Sequence, residues 1–360
     1  MNKDSMEKVA IILVNYKDYA NRFLAECRDS LRLQDYPGNE YKIFIVDNAS
    51  SKSSLEYLNT AYPEAEIIAR QDGNYSAANN AGIKKATEQG FRLFVIANMD
   101  TKFDHSWLRE LVKAVNVDEQ VGIAQSKILL YPKNKEEWNN PLINSSGNIM
   151  HFLGFGFTSD YGKKDYVITS RFITGYASGC SLIIKKQVLD KIGGYDEEYY
   201  MYHDDIELCW RAKLAGYRIA LAPDSRVFHK YEFSRSILMF YYMERNRYLA
   251  IFSYYKFATI LLVLPIMLAM DIGILAYSTV NGNIKAKLKV YLYFLKRKTW
   301  QHIFQVRKKV RKFRIVRDKE IIQYYSGEVR FQEIDNLLLK YIGNPLCEIY
   351  WRIAKKIILW

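Results

Sequence analysis

The sequence predicts an α/β fold, a mostly parallel sheet flanked by helices, followed by a basic helical C-terminal region. Three observations carry this. Short apolar runs of strand length alternate with stretches of helical period over the first two-thirds of the chain, the pattern of repeated βα units. Several of those runs end in polar residues, the place where open α/β sheets bind ligands. The charge then changes abruptly. Residues 1–232 hold 29 Lys and Arg against 31 Asp and Glu, whereas 233–360 hold 23 against 8. The net charge of +13 over 360 residues therefore belongs to the last third, and the length suits a large domain with an appendage.

Taken in order, residues 9–14 form an apolar run ending at Asn15-Tyr16, read as a buried parallel strand. A helical stretch follows to residue 33, and Asp35-Tyr36-Pro37-Gly38 turns the chain. Residues 41–46 are a second strand, ending in Asp47-Asn48-Ala49-Ser50-Ser51. Asp47 there suits either a nucleobase or ribose contact or a helix cap, with equal weight. After a third strand at 66–69, the stretch Gly73-Asn74-Tyr75-Ser76-Ala77-Ala78-Asn79-Asn80 offers small residues for close approach and amides for a sugar–phosphate. A strand at 91–97 leads to Asn98-Met99-Asp100-Thr101. Asp100 could hold a divalent cation on a diphosphate, or cap a helix at 106–115. Residues 122–130 read as a strand and 134–148 as a polar connection. The aromatic–glycine segment 152–157, with Tyr161-Gly162, reads as a flexible loop over the site, and 182–184 as a strand.

The segment Met201-Tyr202-His203-Asp204-Asp205-Ile206-Glu207-Leu208 opens a helix that Gly216 ends. Adjacent carboxylates repel, and folds tolerate this where one binds a cation or acts as a base with a tuned pKa. Glu207 and Arg211, at i and i+4, read as a structural pair. Four scattered cysteines, Cys27, Cys180, Cys209 and Cys347, form no CxxC pair, so a reducing compartment without zinc or disulfides is expected. The N-terminus enters a strand pattern directly, and no signal peptide is expected.

In order, Asp47-Asn48-Ala49-Ser50, Ala78-Asn79-Asn80-x-Gly82, Asn98-x-Asp100, Ser178-Gly179-Cys180, Gly193-Gly194-Tyr195-Asp196-Glu197, Tyr202-x-Asp204-Asp205-x-Glu207-Leu208-Cys209-x-Arg211, Pro223 and His229 resemble the family 2 inverting glycosyltransferases of the GT-A fold. Within them the likeness is to the rhamnosyltransferase-like branch, over residues 7–250. The resemblance implies an enzyme that moves a sugar from a nucleoside-diphosphate sugar to a glycan or polyprenyl-linked acceptor. It implies that Asp47, Asn48, Asn79, Asn80, Asn98 and Asp100 bind the donor. Asp100 and His229 would hold Mg²⁺ or Mn²⁺, and Asp205, beside Asp204, would be the general base. Asn98 stands where the family's metal motif often has an acid, Asp204 where Glu is commoner, and Lys52 where many members carry Asp.

Three regions are expected: a catalytic domain at 1–232, aromatic and apolar helices at 233–284, and basic amphipathic helices at 285–360. Residues 257–270 are uncharged and apolar, with Pro265 inside and Asp271 after them. An interfacial or re-entrant pair of helices is expected over a span, on the cytoplasmic face of the cell membrane, peripheral or monotopic. The Lys- and Arg-rich stretch 285–319 and the amphipathic 350–360 suit an anionic surface; the alternative is packing on the catalytic domain or on a second subunit of a homo-oligomer. A nucleic-acid-binding role is disfavoured, because the sheet domain is slightly acidic. An inactive glycan-binding subunit is disfavoured by the intact Asp100, Asp204 and Asp205.

Overall fold

The computed structural model describes residues 7–232, 239–330 and 337–360. The chain forms two compact units, one of Met1–Gly147, Thr158–Ala212 and Tyr217–Tyr231, the other of Asn148–Phe157, Lys213–Gly216 and Glu232–Trp360. The first opens with β1 (Val9–Asn15), α1 (Tyr19–Arg32), β2 (Tyr41–Asn48), α2 (Lys52–Ala61), β3 (Glu66–Arg70) and α3 (Tyr75–Glu88). It continues through β4 (Leu93–Ala97), β5 (Thr101–Phe103), α4 (Trp107–Val115), β6 (Val121–Leu130), α5 (Lys135–Asn139) and β7 (Ile143–Ser145). Past a short hairpin of β8 (Asn148–Met150) and β9 (Gly156–Thr158) come β10 (Ser181–Lys185), α6 (Lys186–Ile192), α7 (Asp204–Leu214) and β11 (Arg218–His229).

The main sheet has the order β3-β2-β1-β4-β10-β6-β11-β5, with β7 added beside β6. Strands β3, β2, β1 and β4 are parallel neighbours, as are β6 and β11. Between these halves β10 runs antiparallel to both β4 and β6. Val9 to Leu13 of β1 are fully buried, which is why that strand reads as unbroken apolar sequence rather than alternation. The core joins these strands to Leu24, Cys27 and Leu31 of α1 and to Leu108, Leu111 and Val115 of α4. Within it the Trp107 indole N–H meets Ser126 Oγ and Ser181 Oγ, each at 3.0 Å, and Ser225 Oγ donates to the Trp107 carbonyl at 2.8 Å.

Residues 134–148, expected as a polar connection, contain α5, β7 and the start of β8. Ile143, Asn144 and Ser145 of β7 are buried beside β6. The segment 152–157 is not a loop over the site. Phe152, Leu153, Phe155 and Phe157 are buried, and Phe152 stacks on Trp351 with centroids 4.4 Å apart. An aromatic density that sequence alone reads as mobile is here core material of the second unit.

The second unit is helical: α8 (Phe240–Tyr254), α9 (Phe257–Val280), α10 (Ile284–Phe294), α11 (Arg297–Phe313), α12 (Asp318–Ile322) and α13 (Asn344–Ile357). The aromatic helix expected from residue 234 begins at Phe240, and its first positions, 234–238, lie outside the described residues. The apolar stretch expected as a pair of helices is the single α9, of 24 residues with mean hydropathy 2.4 over its most apolar window. Pro265 does not break it. Pro265 faces outward, so the intrahelical bond its missing N–H forfeits lies on the exposed side. Asp271 does not end the helix either, because it turns inward to Lys287 Nζ and Tyr291 Oη, both at 2.6 Å.

Replacing Trp107 by Phe removes the donor at the centre of the serine cluster. It is expected to cost about 1–3 kcal/mol, measured as a lower urea midpoint for the first unit's unfolding.

Candidate active site

The site residues gather where β1, β2 and β4 end and β10 begins. At the close of β1, Asn15 Nδ2 donates to Asp47 Oδ1 at 2.7 Å, and Ser54 Oγ donates to Asp47 Oδ2 at 2.6 Å. Asp47 is fully buried and ties β1, β2 and the first turn of α2 together. It does not cap α2. That task falls to Ser51, whose Oγ accepts from the Ser54 N–H at 3.0 Å. Beside this brace Asn48 and Ser50 are buried, and neither Asn48 Oδ1 nor Ser50 Oγ has a protein partner among the described residues.

Helix α3 brings its N-terminus to the same edge. Its cap Asn74 accepts from the Ala77 N–H at 3.0 Å. The N–H groups of Tyr75 and Ser76 donate to the Tyr200 carbonyl, at 2.8 and 3.2 Å. Tyr200 holds φ at 64°, and Tyr202 and His203 follow at 60° and 61°. Non-glycine residues in the left-handed region concentrate at functional sites. Asn79 and Asn80, paired in the sequence, separate in role. Asn80 binds the loop ahead of α7, accepting from the Tyr195 N–H at 2.8 Å and donating to the Tyr195 carbonyl at 2.9 Å. A Cβ on Gly194 would stand 2.4 Å from Asn80 Oδ1, so this contact requires glycine there. Asn79 is buried, and neither its Oδ1 nor Ser76 Oγ has a hydrogen-bond partner among the described residues.

Asp100 lies at the turn between β4 and β5, buried, and caps no helix; α4 begins after Ser106. His229, the last residue of β11, places Nε2 3.4 Å from Asp100 Oδ1. Its Nδ1 meets Asn144 Oδ1 at 3.0 Å, which fixes Nδ1–H as the donor and turns Nε2 to the carboxylate. Burial opposes charge on this imidazole, but Cys180 and Asp100 outweigh it and hold its pKa well above the usual value. Asn98, at the end of β4, donates its N–H to the Cys180 carbonyl at 3.1 Å and accepts from Tyr75 Oη at 3.4 Å.

Helix α7 starts on the carboxylate pair itself. Asp204 is buried, whereas Asp205 is partly open to solvent. Asp205 Oδ2 accepts from the Gly179 N–H at 3.3 Å and Oδ1 from the Ile206 N–H at 2.8 Å. Burial raises both pKa values, Asp204 to about 8 with the neighbouring Asp205 charge adding to it, and Asp205 to about 6 because the Gly179 and Ile206 N–H groups favour its ionised form. The pair therefore shares its charge unequally, with Asp205 the one ionised near neutrality. Glu207 and Arg211 form the expected buried pair, with Arg211 Nη2 2.7 Å from Glu207 Oε2 and Arg211 also donating to the carbonyls of Ile192 and Gly194, each at 2.7 Å. That binding locks α7 to the loop after α6.

One backbone stretch links the two acidic centres. Gly179 gives its N–H to Asp205, and the Cys180 carbonyl accepts from Asn98, two residues before Asp100, which faces His229. A sequence model of the family described as glycosyl transferase family 2 matches residues 10–193, half of the chain. The chain belongs to glycosyl transferase family 2. An O-antigen biosynthesis protein, RfbC of Myxococcus xanthus, is 27% identical over 241 residues, 63% of this chain and 18% of that protein. The chain thus spans under a fifth of that relative. Rhamnosyltransferase WbbL of Escherichia coli K12 is 23% identical over 234 residues, covering 62% of this chain and 83% of that one. The crystal structure of S. aureus TarS 1–349 in complex with UDP superposes with a TM-score of 0.50 at 15% identity, covering 97% of this chain and 90% of that one. The fold is GT-A-like, a mostly parallel sheet flanked by helices with a helical C-terminal region.

For a family 2 member the donor set at Asp100 suits a hard divalent cation. Among the described residues no cluster of three or more His, Cys, Asp or Glu gathers. One carboxylate and one correctly oriented imidazole nitrogen leave most positions of a Mg²⁺ or Mn²⁺ ion for diphosphate oxygens and water. Two residues of the site, Gln125 and Asn144, escaped the sequence reading, and Tyr75 and Ser178 were given no role of their own there. Gln125 Oε1 accepts from the Ser178 N–H at 2.7 Å and holds the turn that carries Gly179 and Cys180. The available signal was a polar pair, Gln125-Ser126, inside the apolar run of β6.

Two measurements follow. Arg211→Met removes the ion pair of the fully buried Glu207 carboxylate and is expected to lower stability by about 3–5 kcal/mol in urea titration. The raised pKa values of Asp204 and Asp205 mean that the folded chain holds protons the unfolded chain has released. Their contribution is complete below the ordinary carboxylate range and is lost as pH rises through about 6 and about 8. Asp204→Asn should therefore flatten the fall of Tm between pH 5 and pH 9, which differential scanning calorimetry reads directly.

Proposed function

We propose that this chain is an inverting glycosyltransferase that moves a sugar from a nucleoside-diphosphate sugar to a hydroxyl of a glycan or lipid-linked acceptor, in the assembly of a cell-surface polysaccharide or glycolipid. The observation that carries the proposal is the carboxylate pair at the start of α7, joined through the Gly179-Cys180 turn to Asn98 and so to the end of β4, where Asp100 faces His229. Asp205 is the base: partly exposed, ionised near neutrality, and held in place by two backbone N–H groups. Asp204, buried beside it, keeps its proton and confines the negative charge to Asp205. A base on the face opposite the leaving group gives inversion.

The donor lies along the β2 and β4 ends and the start of α3. Buried polar atoms without protein partners call for an explanation, and among the described residues Asn48 Oδ1, Ser50 Oγ, Ser76 Oγ and Asn79 Oδ1 are four such atoms. They serve the nucleotide together with the remaining lone pairs of Asp47, while Asn98 and Tyr75 line the path toward Asp100. Asn80 contributes at one remove, by fixing the loop ahead of α7 to α3. Asp100 and His229 would hold Mg²⁺ or Mn²⁺, which when bound neutralises the charge of the departing diphosphate. We place the protein at an anionic membrane surface on the cytoplasmic side, supported by the apolar α9 and by the excess of Lys and Arg after residue 232.

Asp205→Asn is expected to lower transfer at least 1,000-fold while nucleotide-sugar binding persists, followed as a thermal shift with and without Mn²⁺. Ordinary turnover in that variant would remove Asp205 from the mechanism. In the native protein the acid limb of the rate profile should fall near pH 6, above that of an ordinary carboxylate. Asp100→Asn should abolish the Mn²⁺-dependent part of the shift.

A further inference from the structure

The outer faces of α9 and α13 are apolar without interruption. On α9 the exposed side chains include Phe257, Leu261, Leu268 and Ile272, spaced so that they fall on one face of the helix. On α13, Leu346, Ile349, Ile353 and Ile357 are exposed at the same periodicity, with exposed Arg352 and Lys356 beside them. The two helices are neighbours: Tyr350 Oη donates to the Leu262 carbonyl, and the Trp360 indole N–H to Thr259 Oγ1 at 2.8 Å. An apolar strip fringed by Lys and Arg complements anionic headgroups above acyl chains. A protein partner would have no need of the basic fringe.

Length alone permits α9 to cross a bilayer, since 24 residues reach about 36 Å against a hydrocarbon core of about 30 Å. Its inner face does not permit it. Asp271, in the second half of the helix, binds Lys287 Nζ and Tyr291 Oη of α10 at 2.6 Å, and Tyr248 of α8. Lys287 Nζ continues to Glu244 Oε2 at 2.7 Å, and Arg247 meets Glu244 through two bonds of 3.0 Å. Ile260, Val263 and Met267 are buried on the same inner side. A crossing α9 would therefore take α8 and α10 with it, and place this ionised cluster and the exposed Lys285 and Lys289 at bilayer depth, where charged side chains are costly.

We propose that α9 and α13 form one monotopic surface lying in the plane of an anionic leaflet, with the Asp271–Lys287–Glu244–Arg247 cluster on its protein side keeping α9 from inserting across. The inference rests on the membrane-surface reading above and adds the helices and their orientation. The native cysteines are all buried, so a membrane-impermeant maleimide reports on introduced ones. In the full-length chain, Ala258→Cys and Asn281→Cys mark the two ends of α9. Both should label in inside-out membrane vesicles and neither in spheroplasts; labelling from opposite sides would show a span and overturn the inference. The double variant Leu261→Glu, Ile272→Glu should lose flotation with phosphatidylglycerol–phosphatidylcholine vesicles at least 10-fold, with an unchanged nucleotide-sugar thermal shift. Absence of native binding to those vesicles would overturn the membrane reading itself, as would a soluble dimer abolished by the same double variant. Neither result bears on Asp205, whose test is transfer.

Discussion

The site depends on one reversed strand. Because β10 runs antiparallel between β4 and β6, its leading end, Ser178-Gly179-Cys180, arrives beside the trailing end of β4, where Asn98 and Asp100 stand. The Asn98 N–H is bonded to the Cys180 carbonyl, and Gly179 gives its N–H to Asp205. A parallel strand at that position would deliver its trailing end there instead. The turn that joins Asp205 to the end of β4 follows from this local reversal, with Gln125 on β6 holding it from the other side.

Electrostatics then divides two similar carboxylates. Both sit at the start of α7, where the helix end favours negative charge, yet their surroundings differ. Asp205 has two backbone donors and an opening to solvent; Asp204 is enclosed and adjacent to a charge it must avoid. The outcome is one ionised group and one proton-holding neighbour, from residues that the sequence presents as equivalents. Asp100 and His229 make the opposite arrangement, a carboxylate facing a cationic or metal-ready ring whose far nitrogen is pinned by Asn144.

Much of this was legible beforehand, for identifiable reasons. The strands β1, β2, β4 and β6 announce themselves because buried parallel strands need apolar side chains on both faces. Asp47, Asp100, Asp205 and His229 stand at strand or helix ends, where polar side chains following apolar runs are visible. Asn144 was not visible, since it lies in a three-residue strand within polar sequence, and its importance comes from a register across β6 that no local pattern encodes. Segment 152–157 misled because glycines and aromatics suit both a loop and a tight hairpin. The continuity of α9 through Pro265 and Asp271 depended on which way each faces, a tertiary fact.

The carbonyl of Tyr200 has a further consequence. It accepts from the first two N–H groups of α3 while its own residue is held at positive φ four positions ahead of Asp204. The start of α3 and the loop that leads into Asp204 and Asp205 thus share a single peptide group. If α3 meets the donor as proposed, its occupancy would reach the carboxylate pair through that peptide's orientation, and ordered addition, donor before acceptor, is the kinetic sequence the proposal expects.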